Sequence, residues 1–216
     1  MKRIATLLML GTCVAVSPVA AYEQTDLVWR FSLTTMKPDV ESDLTTVAPA
    51  GAEIDMITDT HLGLGLSYLM TDHFGLGVQS VWPLSHGLFL NDGVSRTRAG
   101  STRSMPVTIT LQYYLPKLAQ AKPWIGVGRN YVRFSKEKVG SGLSGSADEM
   151  RLPSSKGFAG EFGFDWDVDG NMALSVSAVY AEAETRMVLS QAGVNVDSVR
   201  FSFDPWIWNV GIARRF

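Results

Sequence analysis

The sequence predicts an all-β chain folded as an eight-stranded antiparallel transmembrane β-barrel, with long extracellular loops and short periplasmic turns. Three observations predict it. Large apolar residues recur at every second position in eight segments, the residues between them are small or polar, and the connections alternate long and short.

The segments can be taken in order. Leu27, Trp29, Phe31 and Leu33 alternate with Val28, Arg30, Ser32 and Thr34. Leu62, Leu64, Leu66, Tyr68 and Met70 alternate with His61, Gly63, Gly65 and Ser67, and Phe74, Leu76 and Val78 with Gly75, Gly77 and Gln79. Met105, Val107, Ile109, Leu111 and Tyr113 follow, then Ile125, Val127 and Tyr131 against Gly126, Gly128 and Asn130. Phe158, Phe162, Phe164 and Trp166 share one parity, while Glu161, Gly163 and Asp165 share the other. Met172, Leu174, Val176 and Tyr180 form the seventh segment, and Trp206, Trp208, Val210, Ile212 and Phe216 the last. A period of two is a strand with one greasy face.

The second face decides which medium that greasy face meets. A soluble barrel points its apolar residues inward and carries Lys, Glu, Thr and Gln outside. Here the second face is rich in glycine, serine and threonine, which suits the crowded interior of a narrow barrel whose apolar face meets lipid. A soluble eight-stranded barrel with a ligand cavity is the competing fold. Trp29, Trp82, Tyr113, Trp124, Trp166, Trp206 and Trp208 fall near segment ends, where interfacial girdles form.

Short connections are Thr71–His73, Pro116–Lys122 and Val168–Asn171; long ones surround Lys37–Gly51 and run over Leu84–Ser104 and Ser135–Lys156. The alternation places both ends of the barrel on the periplasmic side. At the N-terminus, Met1-Lys2-Arg3, an apolar stretch to Val16 and Val19-Ala20-Ala21 read as a cleaved signal peptide over residues 1–21, with one barrel domain over residues 22–216. Cys13, the one cysteine, supports a competing lipoprotein reading but leaves with the signal in the preferred one. Loss of Lys2 and Arg3 takes the formal charge from −2 to −4, which argues against a nucleic-acid partner.

The chain resembles the outer-membrane protein W family, which includes the alkane-uptake protein AlkL. The resemblance rests on Asp204-Pro205-Trp206-Ile207-Trp208-Asn209-Val210-Gly211-Ile212 with Arg215-Phe216, supported in order by Trp29-Arg30, Trp82-Pro83-Leu84-Ser85-His86, Pro106-Val107-Thr108, Pro123-Trp124-Ile125-Gly126-Val127-Gly128 and Gly163-Phe164-Asp165. It implies a narrow lumen and passage of small hydrophobic molecules across the outer membrane, through an extracellular apolar funnel with a lateral exit. Phe216, Ile212 and Val210 match the C-terminal pattern by which such barrels are presented to the assembly machinery, with Arg214 as a departure from it.

Candidate residues follow. Val81, Pro83, Phe203, Pro205 and Ile207 share the inward parity near the extracellular end, and the apolar run Leu88-Phe89-Leu90 is read within a loop, so these residues, with His86 at the rim, are candidates to line the funnel. Packing of the loops onto the rim is the alternative. Below them Arg30, Gln112, Glu161 and Asp165 face the lumen, where opposite charges would pair and plug it, because unpaired charge there is expensive. No catalytic residue, metal or cofactor is predicted. Asp165–Gly170 imitates half a calcium loop, but Val176 stands where its bidentate glutamate belongs. The Gly-x-Gly pieces open no helix, and Ser85 and His86, adjacent on a strand, point apart.

Outside the lumen, Arg96, Arg98, Arg103, Lys136 and Lys138 in the long loops either meet lipopolysaccharide phosphates or are solvated. Arg129 has the lipid-facing parity and calls for either a bulge or a snorkelling side chain. Two other functional classes compete with passage: a surface-interaction barrel with a closed lumen, and a lipid-modifying enzyme.

Overall fold

The computed structural model describes residues 22–37, 40–42, 53–56, 59–82, 84–91, 96–143 and 145–216. The predicted signal over residues 1–21 and the funnel candidate Pro83 lie outside them. The described strands are β1 (Leu27–Lys37), β2 (Val40–Ser42), β3 (Glu53–Met56), β4 (Asp59–Leu69), β5 (Phe74–Val81), β6 (Leu84–Asn91), β7 (Arg96–Tyr114) and β8 (Ala121–Val139). They continue with β9 (Glu149–Arg151), β10 (Ser155–Asp169), β11 (Met172–Ala181), β12 (Glu184–Gln191), β13 (Val194–Phe203) and β14 (Trp206–Arg215).

Eight of these strands form a closed antiparallel ring in the order β1, β4, β5, β7, β8, β10, β11, β14, with β14 pairing back onto β1. Closure removes both sheet edges, so each backbone donor and acceptor in the lipid zone can find a partner within the wall. The seam is locked at the turn end, where the Phe216 amide donates to the Leu27 carbonyl at 2.9 Å.

The eight predicted segments are the eight ring strands, but their extent differs from the expectation. Leu84–Ser104 is not a loop: β6 pairs with β7 from Leu84↔Ser104 to Asn91↔Arg96. The run Leu88-Phe89-Leu90 is therefore strand, paired on its other side with β3. Backbone pairing needs no lipid, so β7 and β8 continue to 19 residues each, well beyond the roughly ten that span a bilayer. A separate four-stranded sheet, in the order β2, β13, β12, β9, is built from the other long connections.

The apolar parity faces outward, as in Phe31, Leu64, Ile109, Phe162, Leu174 and Val210. Trp29, Tyr113 and Trp166 lie near the turn end of this band, and Trp82, Trp206 and Trp208 near its loop end, all exposed. Trp124 departs from the prediction, being only 3% exposed. Its position shares the parity of Gly126, Gly128 and Asn130, so its indole points into the lumen. Arg214 faces outward, with its guanidinium 4.9 Å from the centre of the Phe216 ring.

Arg129 also settles in one way. The register of β8 against β7 and β10 runs without a shift through Ile109↔Arg129↔Phe158, so no bulge turns it inward. It is exposed on the outward face, one outward position from Tyr131, which leaves snorkelling along its own stem as the way to water. A lipid-facing arginine costs about 2–4 kcal/mol at the midplane and about 0–1 kcal/mol near an interface, so Arg129→Leu should leave stability unchanged or raise it, by no more than about 4 kcal/mol, in urea titrations of the barrel in vesicles. A loss above about 1 kcal/mol would show that Arg129 is held by something other than lipid and water.

Candidate functional site

The lumen is built from layers of side chains on the inward parity. At the turn end, Tyr22, Val28, Leu69, Tyr114, Trp124, Ala173 and Ala213 form an apolar floor. Lys122 and Lys117 hold Asp167 there, at 3.1 and 2.8 Å, and the Lys122 ammonium lies 4.1 Å from the centre of the Tyr22 ring.

Above this floor Arg30 of β1 meets Asp165 of β10 across the barrel. Nη2 and Nε donate to the two carboxylate oxygens at 2.6 and 3.3 Å. The remaining donors reach Ser67 Oγ at 2.7 Å and the Tyr114 hydroxyl at 3.3 Å, and the guanidinium lies 4.9 Å from the centre of the Trp124 ring. Tyr22 donates its hydroxyl to Asp165 Oδ2 at 2.7 Å. Burial first, and the Asp165 charge second, raise the Tyr22 phenol well above its ordinary range, so it stays a neutral donor.

The next layer centres on Glu161. Its carboxylate accepts from Gln112 Nε2 at 2.8 Å, from Gln79 Nε2 at 2.7 Å and from the Thr110 hydroxyl. Tyr114 joins the two layers by donating to Gln112 Oε1 at 2.8 Å. Glu161 is thus held by neutral donors, whereas opposite-charge pairing was expected to plug the lumen throughout. The expected plug residues Arg30, Gln112, Glu161 and Asp165 are all buried and lie in one connected network. Its aromatic members, Tyr22, Tyr114 and Trp124, were not foreseen. A cavity of about 40 Å³ adjoins it, lined by Ser32, Gly63, Gln79, Glu161 and Asn209 among others, with room for water but not for an organic solute.

Toward the loop end the lumen changes character. Thr34 donates to Asn209 at 2.7 Å and Asn209 to Ser177 at 3.1 Å, which completes the polar zone. Then come Met36, Val81, Val179 and Ile207, an apolar layer on four different strands. Beyond it the connections enclose a larger apolar cluster that includes Leu88, Phe134, Leu143, Met150, Met187 and Leu189.

Of the funnel candidates, Val81 and Ile207 meet in the first layer, and Pro205 is buried nearby. Leu88 is 1% exposed in the larger cluster, while Phe89, on the opposite face of β6, is half-buried. The side chains of His86, Leu90 and Phe203, like Pro83, lie outside the described residues. Met36 and Val179 were missed, although both carry the inward parity. The calcium-loop resemblance dissolves: Asp165 and Asp167 are taken by Arg30, Lys117 and Lys122.

A sequence profile described as the OmpW family matches residues 23–216. The chain belongs to the OmpW family. The outer membrane protein W of Vibrio cholerae is 28% identical over 204 residues, 93% of each chain. The crystal structure of the outer membrane protein OprG from Pseudomonas aeruginosa superposes with a TM-score of 0.82 at 26% identity, covering 91% of this chain and 98% of that one. The solid-state NMR structure of the outer membrane protein AlkL gives a TM-score of 0.68 at 20% identity over 93% and 94% of the two chains, a likeness of fold. This OmpW-family barrel spans the outer membrane of a Gram-negative bacterium and sits among its lipids; the turn end is periplasmic and the loop end extracellular.

Proposed function

We propose that this OmpW-family barrel admits small hydrophobic molecules from the extracellular side and releases them sideways into the membrane. The observation that carries the reading is the order of layers in the lumen. An apolar zone of two separate clusters, one around Val81 and Ile207 in the lumen and one around Leu88 and Leu189 among the connections, lies on the loop side of the polar plug. An apolar solute gains by entering the first and loses by entering the second, where Glu161 and Arg30 leave no room and no apolar surface. Passage down the axis is blocked, so the exit lies through the wall.

The uptake role implied by the sequence resemblance to the family supports the same reading. On it, Val81, Pro83, His86, Leu88, Leu90, Phe203, Pro205 and Ile207 surround the path, and Phe89, on the other face of β6 from Leu88, does not. The mature chain begins near Tyr22, whose side chain completes the floor, and Val210 and Ile212 on β14, with Phe216 just after it, present the strand to the barrel-assembly machinery.

The second reading, a surface-interaction barrel with a shut lumen, has one observation in its favour. Leu88, Leu143 and Leu189 are at most 1% exposed, so the apolar cluster is packed and must part before a solute enters. Uptake by vesicles holding the purified barrel separates the two. An apolar probe should enter through the wild type, and a polar probe of equal size should not. Ile207→Asn places an amide in the Met36, Val81, Val179 layer, at roughly 1–3 kcal/mol for a solute that cannot bond it, so apolar uptake should fall about tenfold while the barrel stays folded. No uptake above empty vesicles by the folded wild type would move the assignment to the surface barrel.

A further inference from the structure

A basic groove lies on the outside of the barrel, away from the lumen. Arg98, Arg103, Lys136 and Lys138 line it together with Ser85 and Gly87, on the extracellular extensions of β6, β7 and β8, around a volume of about 280 Å³. Its making depends on a local departure from strand geometry. By simple alternation Lys136 and Lys138 share the inward parity of Val132 and Phe134, both of which are buried. The β7–β8 register shifts between Ser101 and Arg103, and Lys136 adopts φ +55°. Beyond that bulge Ser101 faces Lys138, and both lysines are exposed. A bulge that re-aims side chains in this way costs ladder bonds and backbone strain, so its product, two lysines set beside Arg98 and Arg103, calls for an explanation.

Its height supplies one. The outward series on β7 runs Tyr113, Leu111, Ile109, Val107, Met105, and its next member is Arg103. The groove therefore begins one outward position above the last lipid-facing side chain. On β8, Arg133 and Tyr131 stand opposite Met105 and Val107, just below the groove, and Lys156 lies 5.9 Å over the Tyr131 ring. Glu137, between the two lysines, is half-buried and does not line the groove. Among the described residues, none of the four cations has an ion-pair partner.

We infer that this groove binds the phosphates of lipid A, the membrane-embedded part of lipopolysaccharide in the outer leaflet. The glycolipid places anionic phosphates at the headgroup level, with acyl chains below them, and the protein places arginine and lysine at that level with Met105 and Val107 below. Arginine can grip a phosphate through two donors, and lysine adds point charge. Ser85, Ser101 and Thr102, also in the groove wall, contribute hydroxyls.

The test is a titration of the detergent-solubilised, folded barrel with purified diphosphorylated lipid A, followed by native mass spectrometry. Wild type and the triple variant Arg103→Gln, Lys136→Gln, Lys138→Gln are set side by side. All three side chains are exposed, and a heat-modifiability gel verifies that the variant is folded. The wild type should retain lipid A, and the variant should bind it about tenfold more weakly or worse, a modest loss for three screened charges. Dephosphorylated lipid A should bind the wild type no better than the intact lipid binds the variant. Inorganic phosphate at millimolar concentration should not compete, which identifies the lipid rather than free phosphate as the ligand. Equal binding by wild type and variant, equal binding of the dephosphorylated lipid, or displacement by inorganic phosphate would each overturn the assignment. Arg103→Lys should bind between the two, since it keeps the charge and loses the fork.

Discussion

Asp165→Ala is expected to destabilise the barrel by about 3–5 kcal/mol, the usual consequence of removing one member of a buried ion pair. Asp165 is fully buried and Arg30 is 9% exposed. Arg30 would then keep Ser67, Tyr114 and the face of Trp124, but no counter-charge, beside a cavity of about 40 Å³ that can hold little water. Tyr22 would lose its acceptor in the same step. Urea unfolding of the barrel in lipid vesicles measures the effect. Arg30→Met, Asp165→Leu and their double variant form a cycle with the wild type. Because the desolvation of both charges is then removed together, the double variant should recover most of the loss. A loss below about 1 kcal/mol in Asp165→Ala would mean that water reaches Arg30 and that the plug is open to the periplasm, contrary to the exit argued above.

That plug shows what the sequence carries and what it hides. The lumen position of Arg30, Gln112, Glu161 and Asp165 follows from parity alone, because a period of two leaves only two faces. Which of them pair is not local: Arg30 and Asp165 lie 135 residues apart, and their meeting depends on how the ring closes. Trp124 was legible by the same parity and was misread, since its nearness to a strand end suggested a girdle. Glutamine and threonine as the partners of Glu161 give no charge signal in the sequence.

The extracellular extensions were less legible still. Leu84–Asn91 and Arg96–Ser104 pair as strands, yet the apolar alternation that marks a lipid-facing strand stops at Met105 on β7. The hairpin of β12 and β13 carries no such alternation against lipid and was not foreseen. Lys136 and Lys138 show the limit most directly. Their facing depends on a one-residue bulge, and a slip of one residue exchanges the faces of a strand.

The second large effect concerns the closing seam. The lumen is narrow because the wall coils sharply, and at Gly211 the backbone of β14 approaches that of β1 so closely that any Cβ there would overlap the Phe31 carbonyl oxygen and stand 2.5 Å from the Ser32 Cα. Gly128 on β8 meets Ile109 and Thr110 of β7 in the same way. In each case the neighbour is backbone, already fixed by the ladder, and cannot move aside as a flexible side chain would. Gly211→Leu should therefore break the seam itself: the folded fraction recovered from vesicles by the heat-modifiability assay should fall at least about tenfold, a loss of at least about 1.4 kcal/mol. Gly170→Ala, at a turn where an added Cβ meets nothing within 4 Å, should fold as the wild type does. The pair separates a general effect of lost glycine freedom from contact at the seam. If both variants folded equally well, β1 and β14 would have to lie farther apart than the register Ser32↔Gly211 allows, and the lateral exit would then have room at the seam.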